Sequence, residues 1–492
     1  MFSTATTVLL PPLSGDPFAV FCACASMLGP LTVGLGLGFT GSTIDTMRNS
    51  VLAPSGAHID IGSSSDLHVF TSTTVSSVFS AALTLGALIG TLSGGPVAEA
   101  TGRRLALLIS SPLSIGSYLA IALGHSPYLL VAARLVAGFS MGICSFVSSV
   151  YISEVSPNKL RGFLGACTQL MMAGGITLVY AICLGARTSA GSLDPLATSS
   201  TFCDWRLVAF ICIIPPSLLF CLMFFAVESP RWLATRGRTD EARAILLRLR
   251  GSNEDDKSLI AELDALESIV ASRGEKDGIK ARLSVLWSCK RQAVIAVALN
   301  GLTQFTGLNA LAFYQTTFFL EAGLENADVL ALTVQLSTVI ANVVACFLMD
   351  RMGRRPLLIS SSIGMCISQI MIATFFYEDN VNGQEDLAWL ILLGSYCYQI
   401  TYAWGVGPIR WMVAAELFPD EARGLASSLA TTSNWFCAFL FILFLDTVIN
   451  ATSLQAVFYF FACVAACMTA FEWYMVPETK GKTLEEIQNI FS

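Results

Sequence analysis

The chain has 492 residues, of which 54% are hydrophobic and only 13% charged, with a mean hydropathy of +0.66. A soluble domain carries about 25% charged residues, so this composition excludes a soluble protein and indicates a chain that folds in lipid. The net charge of −7 identifies no partner, because the charges are unevenly placed. The cysteines are scattered through apolar runs without a Cys-X-X-Cys pair, so we interpret them as packing residues and expect no metal site or cofactor.

Twelve apolar segments are long enough to cross a bilayer, which requires about 20 helical residues. The first six are predicted at about 18–40, 72–95, 104–124, 127–151, 162–185 and 206–227. The second six are predicted at about 291–319, 329–349, 356–377, 387–413, 424–446 and 454–476. The predicted fold is an all-α membrane protein with two six-helix halves, residues 1–227 and 291–476. A charged helical linker at 228–290 and a tail at 477–492 complete it.

Basic residues indicate how the spans are oriented. Loops rich in Lys and Arg alternate with loops that carry only Arg48, Arg187 and Arg206. By the positive-inside rule, both termini and the linker are expected on the cytoplasmic side. The amino-terminal segment has no basic region, so a cleaved signal peptide is not expected. The plasma membrane is favoured over an endomembrane.

Three sequence signals recur in order in the two halves. "AEATGRR" (98–104) matches "MDRMGRR" (349–355), "EVSPNKLRG" (154–162) matches "ELFPDEARG" (416–424), and "ESPR" (228–231) matches "ETKGK" (478–482). Repeated halves are typical of transporters whose substrate site lies at the midplane between them.

The acids and arginines of these signals are candidates for a cytoplasmic gate. We expect ion pairs that hold the halves together when the cytoplasmic side is closed and break when it opens. The alternative is that the same pairs only anchor helix ends. The candidates are Glu99, Arg103, Arg104, Glu154, Arg161, Glu228, Arg231, Asp350, Arg354, Arg355, Glu416, Arg423 and Glu478.

Six motifs together resemble the sugar porter family of the major facilitator superfamily. They are "YISEVSPNKLRGFLGACTQL", "ESPRWL", "TGLNALAFY", "MDRMGRR", "AELFP" and "PETKGKTLEEI", and the resemblance runs from about Gly34 to Ile487. It implies the major facilitator fold and a monosaccharide or polyol carrier that rocks its halves around a central site. We expect a sugar and the bilayer as partners, no nucleic acid, and a functional monomer. No nucleophile–base motif or phosphate-binding loop is visible, so no enzymatic activity is expected.

The resemblance also assigns candidate sugar contacts. Amides complement sugar hydroxyls because they donate and accept hydrogen bonds, although each amide has the alternative of bonding a neighbouring helix. The side chains that match family positions are Gln169, Gln304, Asn309, Trp411 and Asn434, with Ile176 and Tyr314 lining the route nearby.

Several candidates depart from the family pattern. Thr303 stands where many relatives have a second glutamine, Thr338 where several hexose carriers have asparagine, and Ala403 where many have an acid. A hexose is therefore predicted, with a disaccharide or inositol as alternatives. Thr40 stands where proton-coupled relatives have an Asp, and a threonine cannot take up a proton in the physiological range. Facilitated diffusion is predicted, and proton-coupled sugar or polyol symport is the alternative.

Arg410 is a cation inside span 10, where insertion costs at least about 2.5–3.5 kcal/mol. It occupies the place where relatives usually have a second proline, beside Gly405, Gly407 and Pro408. One hypothesis is that it donates to carbonyls freed by a helix break, or stacks on Trp404 or Trp411. The other is that it reaches the cavity and binds substrate hydroxyls or an anion.

Two other functions compete with sugar transport. An organic-ion carrier of the same fold predicts charged groups in the cavity, and Arg410 is the feature that supports it. A sugar sensor without transport often has a long cytoplasmic tail. Ser492 follows the "PETKGK" motif by about ten residues, which favours the carrier.

Overall fold

The computed structural model describes residues 16–49, 73–157, 160–191, 205–251, 262–263, 287–382, 387–418, 420–480, 486 and 491. These residues are almost entirely helical and contain no β-strand. Spans 1 to 5 are the helices Asp16–Asn49, Thr73–Thr101, Arg103–Leu123, Pro127–Val155 and Arg161–Gly191. Span 6 consists of Trp205–Ile211 and Ile214–Phe225.

The second half repeats this pattern with two broken spans. Span 7 consists of Lys290–Thr303, a π-helical segment Gln304–Leu308 and Asn309–Glu321. Spans 8 and 9 are Ala327–Met352 and Arg354–Asn382, span 10 is Trp389–Trp404 and Val406–Glu416, and spans 11 and 12 are Asp420–Ala451 and Leu454–Met475. Within the described ranges, 11 segments are long and apolar enough to cross a membrane. Span 10 is not among them because Gly405 divides it into helices of 16 and 11 residues.

Glycines let neighbouring spans approach closely, as small residues commonly do in membranes. A Cβ atom on Gly90 of span 2 would lie 2.1 Å from the carbonyl oxygen of Phe139 in span 4. A Cβ atom on Gly138 of span 4 would lie 2.0 Å from the carbonyl oxygen of Leu83. The close packing of spans 2 and 4 therefore requires glycine, which has no Cβ atom, at these two positions.

The described part of the linker contains the helices Pro230–Thr235 and Thr239–Arg250. The second helix buries Ala242, Leu246 and Leu249 and exposes most of its charges, which is the amphipathic pattern expected for this region. Arg250 donates to the carbonyl oxygens of Val155 and Ser156 at 2.9 and 3.0 Å and so ties the linker to the end of span 4. Most of residues 252–286 lie outside the described ranges.

The most extensive contacts between the halves join three pairs of helices. These are span 1 with the second helix of span 7, span 2 with span 11, and span 5 with span 8. We name the two ends of the bundle by their side chains. The basic end carries Arg103, Arg104, Arg354 and Arg355, and the distal end carries Tyr180, Tyr314 and Asp446.

Candidate functional site

The break in span 7 is set by Gly307, whose φ of +91° lies in the left-handed region that favours glycine. A Cβ atom there would lie 2.6 Å from both Gln369 Nε2 and the Phe461 ring, so no larger residue fits without movement. The π-helical segment widens the turn between Gln304 and Asn309. Both amides consequently lie on the same side of the broken helix.

Three predicted amides form one hydrogen-bonded chain, which we call the amide chain. Gln304 Nε2 donates to Asn434 Oδ1 at 2.6 Å, and Asn309 Nδ2 donates to Gln304 Oε1 at 2.7 Å. The chain joins span 7 to span 11, and all three side chains are buried. Each amide can exchange its protein partner for a hydroxyl group, because it both donates and accepts. The structure thus brings together the central residues that the sequence singled out.

Polar groups that bond to Thr306, between Gln304 and Asn309, were not among the predicted residues. Thr306 Oγ1 lies 2.9 Å from Tyr398 Oη, and Gln369 Nε2 donates to the carbonyl oxygen of Thr306 at 2.7 Å. These contacts satisfy main-chain and hydroxyl groups where the helix is broken. The available signal in the sequence was a polar side chain within an apolar span, at Gln369 and Tyr398.

Three predicted threonines bond elsewhere. Thr303 Oγ1 donates to the carbonyl oxygen of Leu299 at 2.6 Å and faces Met468 of span 12. Thr338 Oγ1 donates to the carbonyl oxygen of Val334 at 3.2 Å. Thr40 accepts a hydrogen bond from Arg134. The structure does not bring these hydroxyls to the amide chain, and a sugar contact would require them to leave these partners.

Four further candidates lie outside the amide chain. Gln169 is buried in span 5, and no hydrogen bond to the amide chain is described for it. Ile176 is half-buried, and its main chain approaches Gly38 of span 1. Trp411 is half-buried beside Arg410, and Tyr314 is buried and donates to Asp446 Oδ2 at 3.3 Å. Tyr314 therefore extends the candidate route from the amide chain to the distal end.

Arg134 is completely buried between two aromatic rings in the first half. Its guanidinium carbon lies 4.5 Å from the Phe39 ring centre and 4.6 Å from that of Phe79. It donates to the carbonyl oxygen of Gly36 at 3.3 Å and to Thr40 Oγ1 at 3.1 Å. The described residues offer it no carboxylate, so ring faces and neutral oxygens stabilise this charge.

Arg410 is also buried, and its contacts match part of one hypothesis. Its guanidinium carbon lies 4.9 Å from the Trp411 ring centre, and Nη2 donates to Tyr402 Oη at 3.2 Å across the break in span 10. Stacking thus involves Trp411 rather than Trp404, and the acceptor is a hydroxyl rather than a freed carbonyl. Nε and Nη1 are buried without an acceptor among the described residues.

At the basic end of the first half, two acids bind the Gly-Arg-Arg turn in different ways. Glu154 accepts from Arg103 Nε at 3.1 Å and Nη2 at 3.2 Å. Glu228 accepts the main-chain N–H groups of Arg103, Arg104 and Ser229. Burial raises the pKa of the Glu228 carboxyl above its ordinary value, although the N–H donors act in the opposite direction.

The second half repeats these contacts with looser geometry. Glu416 lies 3.5 Å from Arg354 Nη2 and accepts from Thr479 Oγ1 at 2.6 Å. Glu478 accepts the main-chain N–H groups of Arg354, Arg355 and Lys480. Burial opposes ionisation of Glu478 too, but these N–H donors outweigh it and hold the pKa below its ordinary value.

The described ion pairs at the basic end join residues of the same half, so none connects the halves in this state. Arg231 is exposed, and Glu99 contributes its carbonyl oxygen to Trp232 Nε1 at 2.8 Å. The side chains of Arg161, Asp350 and Arg423 lie outside the described residues. The anchoring role has geometric support, and the gate role stays a prediction.

At the distal end, hydrogen bonds connect the two halves. Ser77 Oγ of span 2 donates to Asp446 Oδ2 of span 11. Tyr180 Oη donates to the carbonyl oxygen of Ala312 at 3.4 Å, and Thr177 Oγ1 donates to that of Gln335 at 3.3 Å. The two halves are therefore closed against each other at this end.

Two acidic residues inside the spans belong to none of the motifs and were not among the predicted site residues. Asp446 lies in span 11, and Glu472 lies completely buried in span 12, where it accepts from Ser362 Oγ at 2.7 Å. Acids within membrane helices are rare and usually functional. A search for acids in apolar runs would have found both.

The sequence of the chain has relatives among known proteins. A family model described as "Sugar (and other) transporter" matches residues 21–491. The chain is 33% identical to "Sugar transporter ERD6-like 6" of Arabidopsis thaliana over 482 residues, which cover 96% of this chain and 90% of that protein. It is 31% identical to "Solute carrier family 2, facilitated glucose transporter member 8" of Mus musculus, with 98% and 96% covered.

A solved structure has the same fold. It is the major facilitator superfamily proton:xylose symporter XylE bound to 6-bromo-6-deoxy-D-glucose, with a TM-score of 0.76 and 25% identity. The match covers 97% of this chain and 100% of that one. The predicted twelve-span major facilitator fold is confirmed by this likeness.

Proposed function

Because the chain belongs to the sugar transporter family, we propose that it carries a neutral hexose such as glucose across a membrane by facilitated diffusion. The matched family, the relatives and the solved structure with the same fold all support sugar transport by a major facilitator fold.

The amide chain carries the substrate proposal. Its residues Gln304, Asn309 and Asn434 are neutral, buried and mutually hydrogen-bonded. A sugar hydroxyl can replace each amide partner without leaving a buried donor or acceptor unpaired, which would be costly. Gln169 and Trp411 complete the proposed site as a further amide and an apolar ring face.

Arg134 and Thr40 support facilitated diffusion. The relatives include a protein named a facilitated glucose transporter and one named a proton:xylose symporter, so the family contains both modes. In this chain the partners of Arg134 in span 1 are the carbonyl oxygen of Gly36 and the hydroxyl of Thr40, neither of which titrates in the physiological range. We therefore assign no proton to this position during the cycle. A proton-coupled symporter is the competing assignment.

Arg410 is proposed to be a structural cation at the break of span 10. It connects the two helices of that span through Tyr402 and stacks on Trp411, so it acts on the substrate site by positioning the ring. The basic end is proposed to face the cytoplasm, in the plasma membrane, with the protein working as a monomer.

The direct test is flux of labelled glucose in proteoliposomes, with a trapped pH-sensitive dye as a second readout. Saturable, stereoselective uptake without acidification of the lumen is expected. Unlabelled fructose, galactose, trehalose and inositol compete in parallel to define the substrate. Sugar-driven proton entry would overturn facilitated diffusion, and binding without flux would indicate a sensor.

Gln304→Ala tests the amide chain. It removes both hydrogen bonds of the central amide, and at about 1 kcal/mol each the expected loss of kcat/KM is roughly 30-fold. Gln292→Ala, a buried amide of the same span outside the chain, is the matched control. Equal effects of the two substitutions would argue against the proposed site.

A further inference from the structure

A cavity of about 400 Å³ lies at the distal end between span 2 of one half and span 11 of the other. This volume falls within the range of about 300–1,000 Å³ that small-molecule sites occupy. Four polar side chains are among the residues that line it: Ser77, Asp446, Thr447 and Asn450. The cavity is separate from the amide chain, since Asp446 follows Asn434 by twelve residues, about 18 Å along a helix axis.

Asp446 occupies a special position in this cavity because it bonds to both halves. It accepts a hydrogen bond from Ser77 Oγ of the first half, and another from Tyr314 Oη of the second at 3.3 Å. We call these two hydrogen bonds the Asp446 contact. No basic side chain pairs with this carboxylate in the part of the chain that the structure describes. Its present partners are hydroxyl groups, which are the groups that a sugar presents.

We propose that Asp446 is an outer sugar-binding residue that couples arrival of the substrate to opening of the distal end. This inference rests on the proposed sugar transport. Hydroxyls of an arriving sugar replace those of Ser77 and Tyr314 as donors to the carboxylate. The carboxylate keeps its hydrogen bonds throughout, so the exchange leaves this partly buried charge with donors at every stage. Both hydrogen bonds of the Asp446 contact are lost in the same step, including the bond from Ser77 that joins the halves.

Tyr314 connects this outer site to the central one. It lies in the same helix as Asn309, five residues later, and its hydroxyl reaches Asp446. When the sugar takes the place of Tyr314 on the carboxylate, the second helix of span 7 loses its bond to span 11. That helix also forms the contact with span 1 at the distal end. Release of one hydroxyl therefore loosens the helix that must move for the sugar to pass.

The test separates a sugar contact from a purely structural one by measuring both directions of transport. Glucose flux is measured as influx and as efflux for the wild type, Asp446→Asn, Ser77→Ala and Thr374→Ala. Asp446→Asn replaces a charged acceptor with a weaker neutral one of the same shape. Its KM is expected to rise about tenfold in the direction that starts at the distal end and to change less than about twofold in the other.

Ser77→Ala removes the same cross-half bond but keeps the carboxylate. Its KM is expected to stay at the wild-type value or fall, because the sugar no longer competes with the serine hydroxyl. Thr374→Ala is the control, because Thr374 of span 9 lies outside the cavity and its hydroxyl bonds within its own helix, to the carbonyl oxygen of Ile370 at 2.8 Å. It is expected to match the wild type. Elution of each purified variant as a monodisperse peak shows that it is folded.

Two results would overturn the inference. The first is a KM of Asp446→Asn that rises equally for influx and efflux. The second is a KM of Ser77→Ala that changes as much as that of Asp446→Asn. Either result indicates that the contact is only structural. Failure of the wild type to transport glucose would instead overturn the proposed function. The two failures are therefore distinguishable in one series of measurements.

Discussion

At the basic end, Arg103 and Arg354 bind acids of their own half, whereas at the distal end Ser77 and Tyr180 bind groups of the opposite half. Bonds within a half survive when the halves rotate as rigid bodies, but bonds between halves must break. The difference indicates that the basic-end contacts described here preserve the shape of each half through the cycle. The distal contacts belong to one state and set how readily the protein leaves it.

This comparison separates two kinds of defect. A substitution at the basic end is expected to reduce stability and leave transport by the folded fraction nearly intact. A substitution at the distal end is expected to change transport in a protein of nearly normal stability.

Gly41→Ala is expected to have the largest effect on transport. The added Cβ atom would lie 2.2 Å from the carbonyl oxygen of Ala312 and 2.4 Å from Tyr180 Oη, so spans 1 and 7 cannot close as they do here. Glucose uptake is expected to fall tenfold or more, on the order of the 1–3 kcal/mol that overpacking costs. Gly174→Ala is the matched control, since no atom lies within 4 Å of its Cβ position. Similar uptake by the two variants would contradict closure at the distal end.

Arg103→Ala and Arg354→Ala are expected to lower thermal stability unequally. Arg103 makes two short bonds to Glu154, while Arg354 makes one of 3.5 Å to a more exposed Glu416. The free energy of unfolding is expected to fall by about 1–3 kcal/mol for Arg103→Ala and by about 1 kcal/mol or less for Arg354→Ala. Unfolding of the purified proteins, followed by intrinsic fluorescence, measures both. A larger effect at Arg354, or loss of transport in a stable protein, would favour the gate role instead.

The smallest expected effect is the contribution of Glu478 to the pH dependence of the protein's stability. Because the folded-state pKa of Glu478 is lowered, its contribution to stability is present above its ordinary pKa and is lost as pH falls through the folded value. Glu478→Gln should flatten the acid limb of a plot of melting temperature against pH. Glu228→Gln should not, because a raised pKa makes stability fall as pH rises through that range. The same acid-limb change in both variants would contradict this assignment.

Much of the proposed central site was predictable because its residues belong to recognisable motifs on single helices. Gln304 and Asn309 stand in one motif of span 7, and Asn434 matches a family position in span 11. Thr303 was assigned to the same site, but a shift of one residue turns a side chain by about 100°. Its hydroxyl consequently faces span 12.

The distal contacts were not predictable in the same way. The bond between Ser77 and Asp446 joins residues 369 positions apart, and it depends on how two long helices cross. The partners of Arg410 likewise depend on the backbone angle at Gly405, which places Tyr402 across the break. Sequence patterns identify the break but not the side chain that bridges it.

Cross-linking of the halves at the distal end tests the central claim most directly. Val78→Cys with Thr447→Cys places thiols on opposite walls of one cavity and leaves Ser77 and Asp446 intact. A short, reducible bifunctional reagent should abolish glucose uptake by the double variant, and a reductant should restore it, while the two single variants show how native cysteines respond. Normal uptake by the cross-linked double variant would contradict opening of the halves at this end.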